Sequence, residues 1–223
     1  MKLILFDFDG TIAKTSSLHK EAWIRTLNFI GSRKDFETFL PYIPNDKERF
    51  DSVSKISKSL ESEPYVIDFF RLNFGIIGMS KVVRKLFDLK ESFTIAVISE
   101  MTPEQLSKLL SENIQSTLSI LIKRNYKLGI ISSSRQSTVV SFLLKTRLID
   151  YFDTICGEDD MYDGDKLKDK PDQYIMTKLD TGIGEPFLYI GDSPVDQKFS
   201  ENINVRYIHH KYSLNFESII DQL

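Results

Sequence analysis

The sequence predicts an α/β fold built on a parallel sheet, and three observations carry that reading. Apolar runs of strand length recur along the chain, and amphipathic stretches of helix length separate the later ones. Between about residue 15 and about residue 90 the rhythm breaks into successive helices with no convincing strand. The first run, Leu3-Ile4-Leu5-Phe6, ends abruptly in Asp7-Phe8-Asp9-Gly10. A buried parallel strand reads as a continuous hydrophobic run, and open α/β sheets bind ligands beyond the carboxyl ends of such strands. The two aspartates therefore stand where a site is expected.

In chain order, the runs predict strands over 3–7, 127–132, 151–156 and 187–191, with 204–208 as a fifth. Helices are predicted over 136–146, 172–181 and 194–202, giving right-handed crossovers between parallel strands. Within the interruption, Leu18, Ala22, Trp23, Leu27 and Ile30 repeat close to a 3.6 period over Ser17–Ile30. Pro41, Pro44 and Pro64 punctuate the remainder, with helix starts at Asn45-Asp46 and Glu63-Pro64. The economical reading is a helical insert over 15–92, with the core formed by 1–14 and 93–223. FTIAVISE at 93–100 reads as one further strand, left without a place in the sheet. Thr102-Pro103-Glu104 then opens a helix predicted to run to about residue 124.

Composition narrows the function classes. A formal net charge of -3 gives no electrostatic reason to expect nucleic acid or an anionic membrane, although a local cluster would still suit a small anion. One cysteine, Cys156, forbids an internal disulfide and fits a reducing cytosol. The first residues lack the pattern of a secretory signal, because Asp7 interrupts them at once. No apolar stretch approaches the roughly 20 residues of a membrane helix. The expectation is a soluble cytoplasmic protein, monomeric by default.

DFDGT at Asp7–Thr11 resembles the nucleophile motif of the haloacid dehalogenase superfamily. The family's later motifs follow in order: IISSS with Ser132 at a strand end, Lys170-Pro171 at a helix start, and GDSPVD with Asp192 and Asp196. The resemblance implies a Rossmann-like core with an inserted α-helical cap, and phosphoryl transfer with Mg²⁺. A carboxylate nucleophile splits a hard displacement into two easier ones by way of an aspartyl-phosphate. By resemblance Asp7 is that nucleophile, and Asp9 is the acid and base that protonates the leaving alkoxide and activates water. Mg²⁺ would bridge carboxylate and phosphate oxygens, held by Asp7, Asp192 and the main chain of Asp9. Asp196 would hold a metal-bound water or orient Lys170. Ser132 and Lys170 would meet the transferring phosphate, while Thr11, Ser133 and His19 are expected on the substrate side.

Each motif also has a plainer reading. Asp-Gly after a strand is commonly a turn, Lys-Pro commonly begins a helix, and at least two of Ser132–Ser134 are expected simply to cap the helix that follows. Their ordered coincidence favours the chemistry. Ser99, ending TIAVISE, competes with Ser132, which is preferred because Lys170 follows it in the family's order of elements. The acidic run around Asp159 and Asp163 is read as a solvated loop, since Met161 and Lys170 stand where a calcium loop needs oxygen ligands. His209-His210 is read as structural.

Asp9 argues against dehalogenation, whose motif lacks a second aspartate. DFDGTIAKTSSLHKEAW resembles the start of β-phosphoglucomutase and related sugar-phosphate phosphatases, which share the spacing of His19 and Trp23. The last motif instead looks like that of phosphoglycolate phosphatases, because no Glu-Asp pair is present. A phosphatase acting on a small phosphorylated metabolite leads, ahead of a phosphomutase and of a catalytically silent binding protein. Lys47 and Arg49 fall about where relatives carry a substrate-selecting loop, although a solvated helix face is the plainer reading. Lys14 departs from the acidic residue many relatives carry beside the hinge.

Overall fold

The computed structural model describes residues 2–30, 71–73, 75, 79–157, 162–163, 166–167 and 186–223. The chain divides into two compact units, one comprising Met1–Thr15, Met101–Asp160 and Lys168–Leu223, the other Ser16–Glu100 and Met161–Leu167.

In the first unit, strand β1 (Lys2–Phe6) has Leu3, Ile4, Leu5 and Phe6 wholly buried. Burying each such side chain stabilises the fold by about 1.5–3 kcal/mol, which makes β1 the axis of the core. Around it lie β2 (Tyr126–Ile131), β3 (Thr154–Cys156), β6 (Leu188–Gly191) and β7 (Arg206–His209). The order is β3-β2-β1-β6-β7, with every neighbouring pair parallel. The chain moves outward from β1 to β3 and then returns to the opposite side of β1 with β6. That reversal is the switch point at which an open parallel sheet leaves a crevice, between the carboxyl ends of β1 and β6.

Helices of this unit follow the strand ends. Asn202 closes the helix that begins at Pro194, and Lys145 the one that begins at Gln136. The helix predicted from Thr102 to about 124 is instead two, Pro103–Ser107 and Ile114–Lys123. Tertiary hydrogen bonding explains the break. Lys14 N–H donates to Leu109 O and Ser111 N–H to Ile12 O, so this stretch pairs with the loop after β1 instead of continuing its own turn. Asn113 then adopts a left-handed conformation, with φ of 59°, before the second helix.

The second unit contains α1 (Ser16–Phe29) and α2 (Met79–Glu100). The expected strand at 93–100 is corrected here: it is the carboxyl-terminal part of α2. Buried positions Leu86, Phe87, Glu91, Thr94, Val97 and Ile98 follow helical spacing, but Glu91 and Thr94 interrupt the stripe with polar residues. The β-branched run then mimics a strand in the sequence, while packing against α1 decides for helix. Trp23 meets Phe87 edge-on at 5.2 Å between centroids, and Phe29 meets Phe93 at 5.9 Å. Arg25 of α1 grips Glu100 with both terminal nitrogens, at 2.7 and 2.8 Å, and reaches Glu21 at 2.9 Å. Within the run expected as a solvated loop, β4 (Tyr162–Asp163) pairs antiparallel with β5 (Lys166–Leu167). The predicted helix at 172–181 and the proline-punctuated stretch from Pro41 to Pro64 lie outside the described residues.

Continuing the helix labels in chain order, α3 is Pro103–Ser107, α4 Ile114–Lys123, α5 Gln136–Lys145 and α6 Pro194–Asn202.

Candidate active site

Asp7 leaves β1 buried, and its N–H donates to Ile190 O of β6 at 2.8 Å, so the main chain stays in the sheet while the side chain stands at its edge. Phe8 turns inward against Phe142, with centroids 5.3 Å apart. The turn that follows is closed by Gly10 N–H to Ala13 O at 2.8 Å and by two donors, Ile12 and Ala13, on Phe8 O. Gly10 has φ of 85°, which a side chain tolerates poorly. A Cβ there would lie 2.5 Å from Asp192 Oδ2, so glycine is required for both conformation and space.

Asp9 accepts from three hydroxyls. Its Oδ1 accepts from Thr15 Oγ1, and its Oδ2 accepts from Ser134 Oγ at 2.6 Å and Ser132 Oγ at 3.3 Å. Ser134 N–H donates to Ser132 Oγ at 3.0 Å, and Ser132 N–H to Cys156 O at 3.0 Å. Ser132 is completely buried. The expectation that two of the three serines cap α5 is corrected: its N-cap is Arg135, whose side chain makes no capping bond, and the hydroxyls of Ser132 and Ser134 go to Asp9. A charged acceptor attracts a donor more strongly than a helix end does.

Asp192 follows β6 at the edge beside Asp7, and Asp196 lies at the third position of α6. Ser193 and Asp196 form a reciprocal capping box. Asp196 is completely buried; its Oδ2 accepts from Ser193 N–H (3.0 Å) and Ser193 Oγ (2.6 Å), its Oδ1 from Tyr189 Oη (3.0 Å). In the first unit it thus fixes the turn that presents Asp192. Gly191 makes this possible, since a Cβ there would stand 2.5 Å from Asp196 Cγ. Two main-chain bonds complete the frame: His210 N–H donates to Gly191 O at 2.8 Å and Tyr212 N–H to Gly10 O at 2.6 Å.

Carboxylate oxygens of Asp7, Asp192 and Asp196 lie within 4.8 Å of one another. Three like charges this close repel, and a cation among them would relieve that repulsion. All the donors are oxygens, the set that hard divalent cations take, and Gly10 leaves the flank of Asp192 open. The residues fit a divalent metal. Thr11 Oγ1 lies 3.5 Å from Asp7 Oδ2.

The remaining predicted residues fall elsewhere. Ser99, the rival to Ser132, sits in α2 with its hydroxyl on Ala96 O. His19 belongs to the second unit, where it is buried with Nδ1 2.7 Å from Lys90 Nζ. Lys47, Arg49 and Lys170 lie outside the described residues. Reading the sequence alone missed Ser134, Thr15, Tyr189 and Ser193. Only Ser193 carried a local signal, the Ser-x-x-Asp spacing of a capping box opening on proline.

A parallel sheet with an acidic cluster at its switch point, and a second unit interrupting the chain after β1, defines a class of hydrolytic α/β enzymes. A family model for haloacid dehalogenase-like hydrolases matches residues 4–209, and the chain belongs to that family. The pyrophosphatase PpaX of Bacillus cereus (strain G9842) is 27% identical over 203 residues, spanning 91% of this chain and 80% of that protein. Among solved structures, β-phosphoglucomutase of Clostridium difficile superposes with a TM-score of 0.62 at 18% identity, covering 100% of this chain and 96% of that one. CbbY of Rhodobacter sphaeroides, solved with xylulose-1,5-bisphosphate, gives 0.60 at 17% identity, covering 96% and 88%. The chain is thus an enzyme, a hydrolase of that family. Among the described residues no helix is long and apolar enough to cross a membrane.

Proposed function

We propose that the chain is a Mg²⁺-dependent phosphomonoesterase that works through an aspartyl-phosphate on Asp7. The observation that carries this reading is the acidic trio at the end of β1 and β6, with a separate carboxylate, Asp9, held two residues from Asp7 by three hydroxyls. Asp7 has the in-line role because it lies at the strand end inside the trio, and a carboxylate needs no prior deprotonation at neutral pH. Asp9 protonates the departing alkoxide and then takes a proton from the attacking water, work that contributes roughly 10²–10⁴-fold. Asp7 and Asp192 would hold Mg²⁺, which supplies charge neutralisation for the phosphoryl oxygens. Lys170 is assigned the same task on the family's pattern. The substrate is a small phosphorylated metabolite, handled in the cytoplasm by a monomer; a chain with the single cysteine Cys156, which is buried, agrees with a reducing compartment.

The test is phosphate release from p-nitrophenyl phosphate, phosphoglycolate, glucose 1-phosphate, xylulose bisphosphate and pyrophosphate, with Mg²⁺ and with EDTA. Release is expected from at least one alkyl phosphate, and EDTA is expected to stop it. Asp7→Asn should abolish turnover with an unchanged circular dichroism spectrum; activity near wild type would sink the mechanism. A phosphomutase is the second reading, favoured by the resemblance of the segment from Asp7 through Trp23 to β-phosphoglucomutase. Isomerisation of glucose 1-phosphate without net phosphate release would decide for it.

A further inference from the structure

We propose that Ser134 is the positioning residue for Asp9, and that by holding Asp9 it leaves the Ser132 hydroxyl available to the phosphoryl group. The inference rests on the phosphatase reading and assigns a role within that site. It follows from counting protons. A serine hydroxyl has a single proton to donate. The Ser132 hydroxyl spends that proton on Asp9 Oδ2, at 3.3 Å, while its oxygen accepts the Ser134 N–H at 3.0 Å. In this arrangement Ser132 has nothing left to offer a phosphate oxygen. Its role at the phosphate therefore requires that the proton turn away from Asp9.

The distances say which bond yields. Ser134 Oγ to Asp9 Oδ2 is 2.6 Å, the length of a charge-assisted hydroxyl–carboxylate bond, whereas 3.3 Å is at the weak end for two oxygens. Ser132 is the cheap bond to break and Ser134 the expensive one. When the Ser132 proton turns, Ser134 and Thr15 still pin the two oxygens of Asp9, one each. The Ser134 N–H meanwhile keeps Ser132 Oγ in place while its proton changes direction. One residue thus acts on both partners, through its side chain on Asp9 and through its main chain on Ser132. The alternative task for Ser134, capping α5, falls to another residue, since the N-cap is Arg135 and the Ser134 hydroxyl goes to Asp9.

Asp9 acts as an acid only on the step in which the alcohol leaves. An alkoxide needs that proton, whereas p-nitrophenolate is stable without it, so a misplaced Asp9 hurts alkyl phosphates selectively. The experiment measures kcat/KM, which reports the enzyme up to loss of the leaving group, for p-nitrophenyl phosphate and for the panel's fastest alkyl phosphate. Ser134→Ala is expected to lower kcat/KM about 10-fold for the alkyl phosphate and less than about threefold for p-nitrophenyl phosphate. Ser134→Thr, which keeps the hydroxyl, should recover most of the alkyl activity, and Ser134→Ala should add no selective loss in an Asp9→Asn background. Equal losses on both substrates, no loss on either, or a selective loss undiminished by Asp9→Asn would overturn the proposal. Wild-type enzyme that releases phosphate from no alkyl member would instead overturn the phosphatase reading, and this role with it.

Discussion

His210 is a buried imidazole, 1% exposed, packed edge-on against Phe216 with centroids 4.7 Å apart, and its Nε2 has no hydrogen-bond partner. Burial, and secondarily the neighbouring His209, push its pKa down from 6.5 to about 4. The unfolded chain takes up this proton near pH 6.5 and the folded chain only near pH 4. Stability from the neutral ring is therefore full above pH 6.5 and is lost as the pH falls toward about 4. Measured as Tm against pH, His210→Phe should flatten the decline over that window; parallel curves would remove His210 as its source. The same residue shows what the sequence conveys about single side chains. His209-His210 reads as structural, and His210 packs as a core ring, but nothing local says that one nitrogen goes unpaired. Asp7, Ser132 and Asp192 were legible as candidates because each follows a run of apolar neighbours, and Asp9 because it lies two residues beyond Asp7. Ser134 and Thr15 were not, because which of many hydroxyls reaches a carboxylate is decided by tertiary approach.

At the scale of elements, the short helix α6 is held at its start by an acid that also faces the site. Its capping box begins at Ser193, and both oxygens of the buried Asp196 accept hydrogen bonds. Ser193→Ala removes the cap acceptor and the strongest donor to Asp196 Oδ2 together, and should cost about 2 kcal/mol in urea denaturation. Ser193→Thr should retain most of that stability, and an alanine variant as stable as wild type would show that the box carries no weight. The five strands of the parallel sheet were legible in the sequence to within a few residues because four of them are short, mostly buried runs. The two elements read wrongly failed for opposite physical reasons. In α2, packing against α1 made a helix of a run rich in β-branched residues; between α3 and α4, pairing with Ile12 and Lys14 broke a run that local propensity would continue.

Across the whole molecule, the parallel sheet and the return of the chain from β3 to β6 bring residues 7 and 192 to one edge, although 185 positions separate them in sequence (192 minus 7). If Mg²⁺ binds there, it binds the folded chain alone, and at 100 times its dissociation constant it adds about 2.7 kcal/mol to stability. Mg²⁺ should raise the Tm of the wild-type chain and raise that of Asp192→Asn much less; an equal rise would place the ion elsewhere. The fold class was legible from the alternation of runs, because a parallel sheet has few topologies open to it. Which side chains would meet a substrate was not, since no local pattern encodes the recognition of a particular metabolite.

The two loops that carry Asp9 and Asp192 are both tied to residues 210–212 through main-chain atoms, Gly191 O to His210 N–H and Gly10 O to Tyr212 N–H. Every non-proline residue brings the same N–H, so this strap asks for no particular side chain at either anchor. The span of the acid site is thereby inherited from backbone geometry. It can persist through substitutions that erase any recognisable motif near the end of β7, which makes this frame invisible to pattern matching and durable under sequence drift.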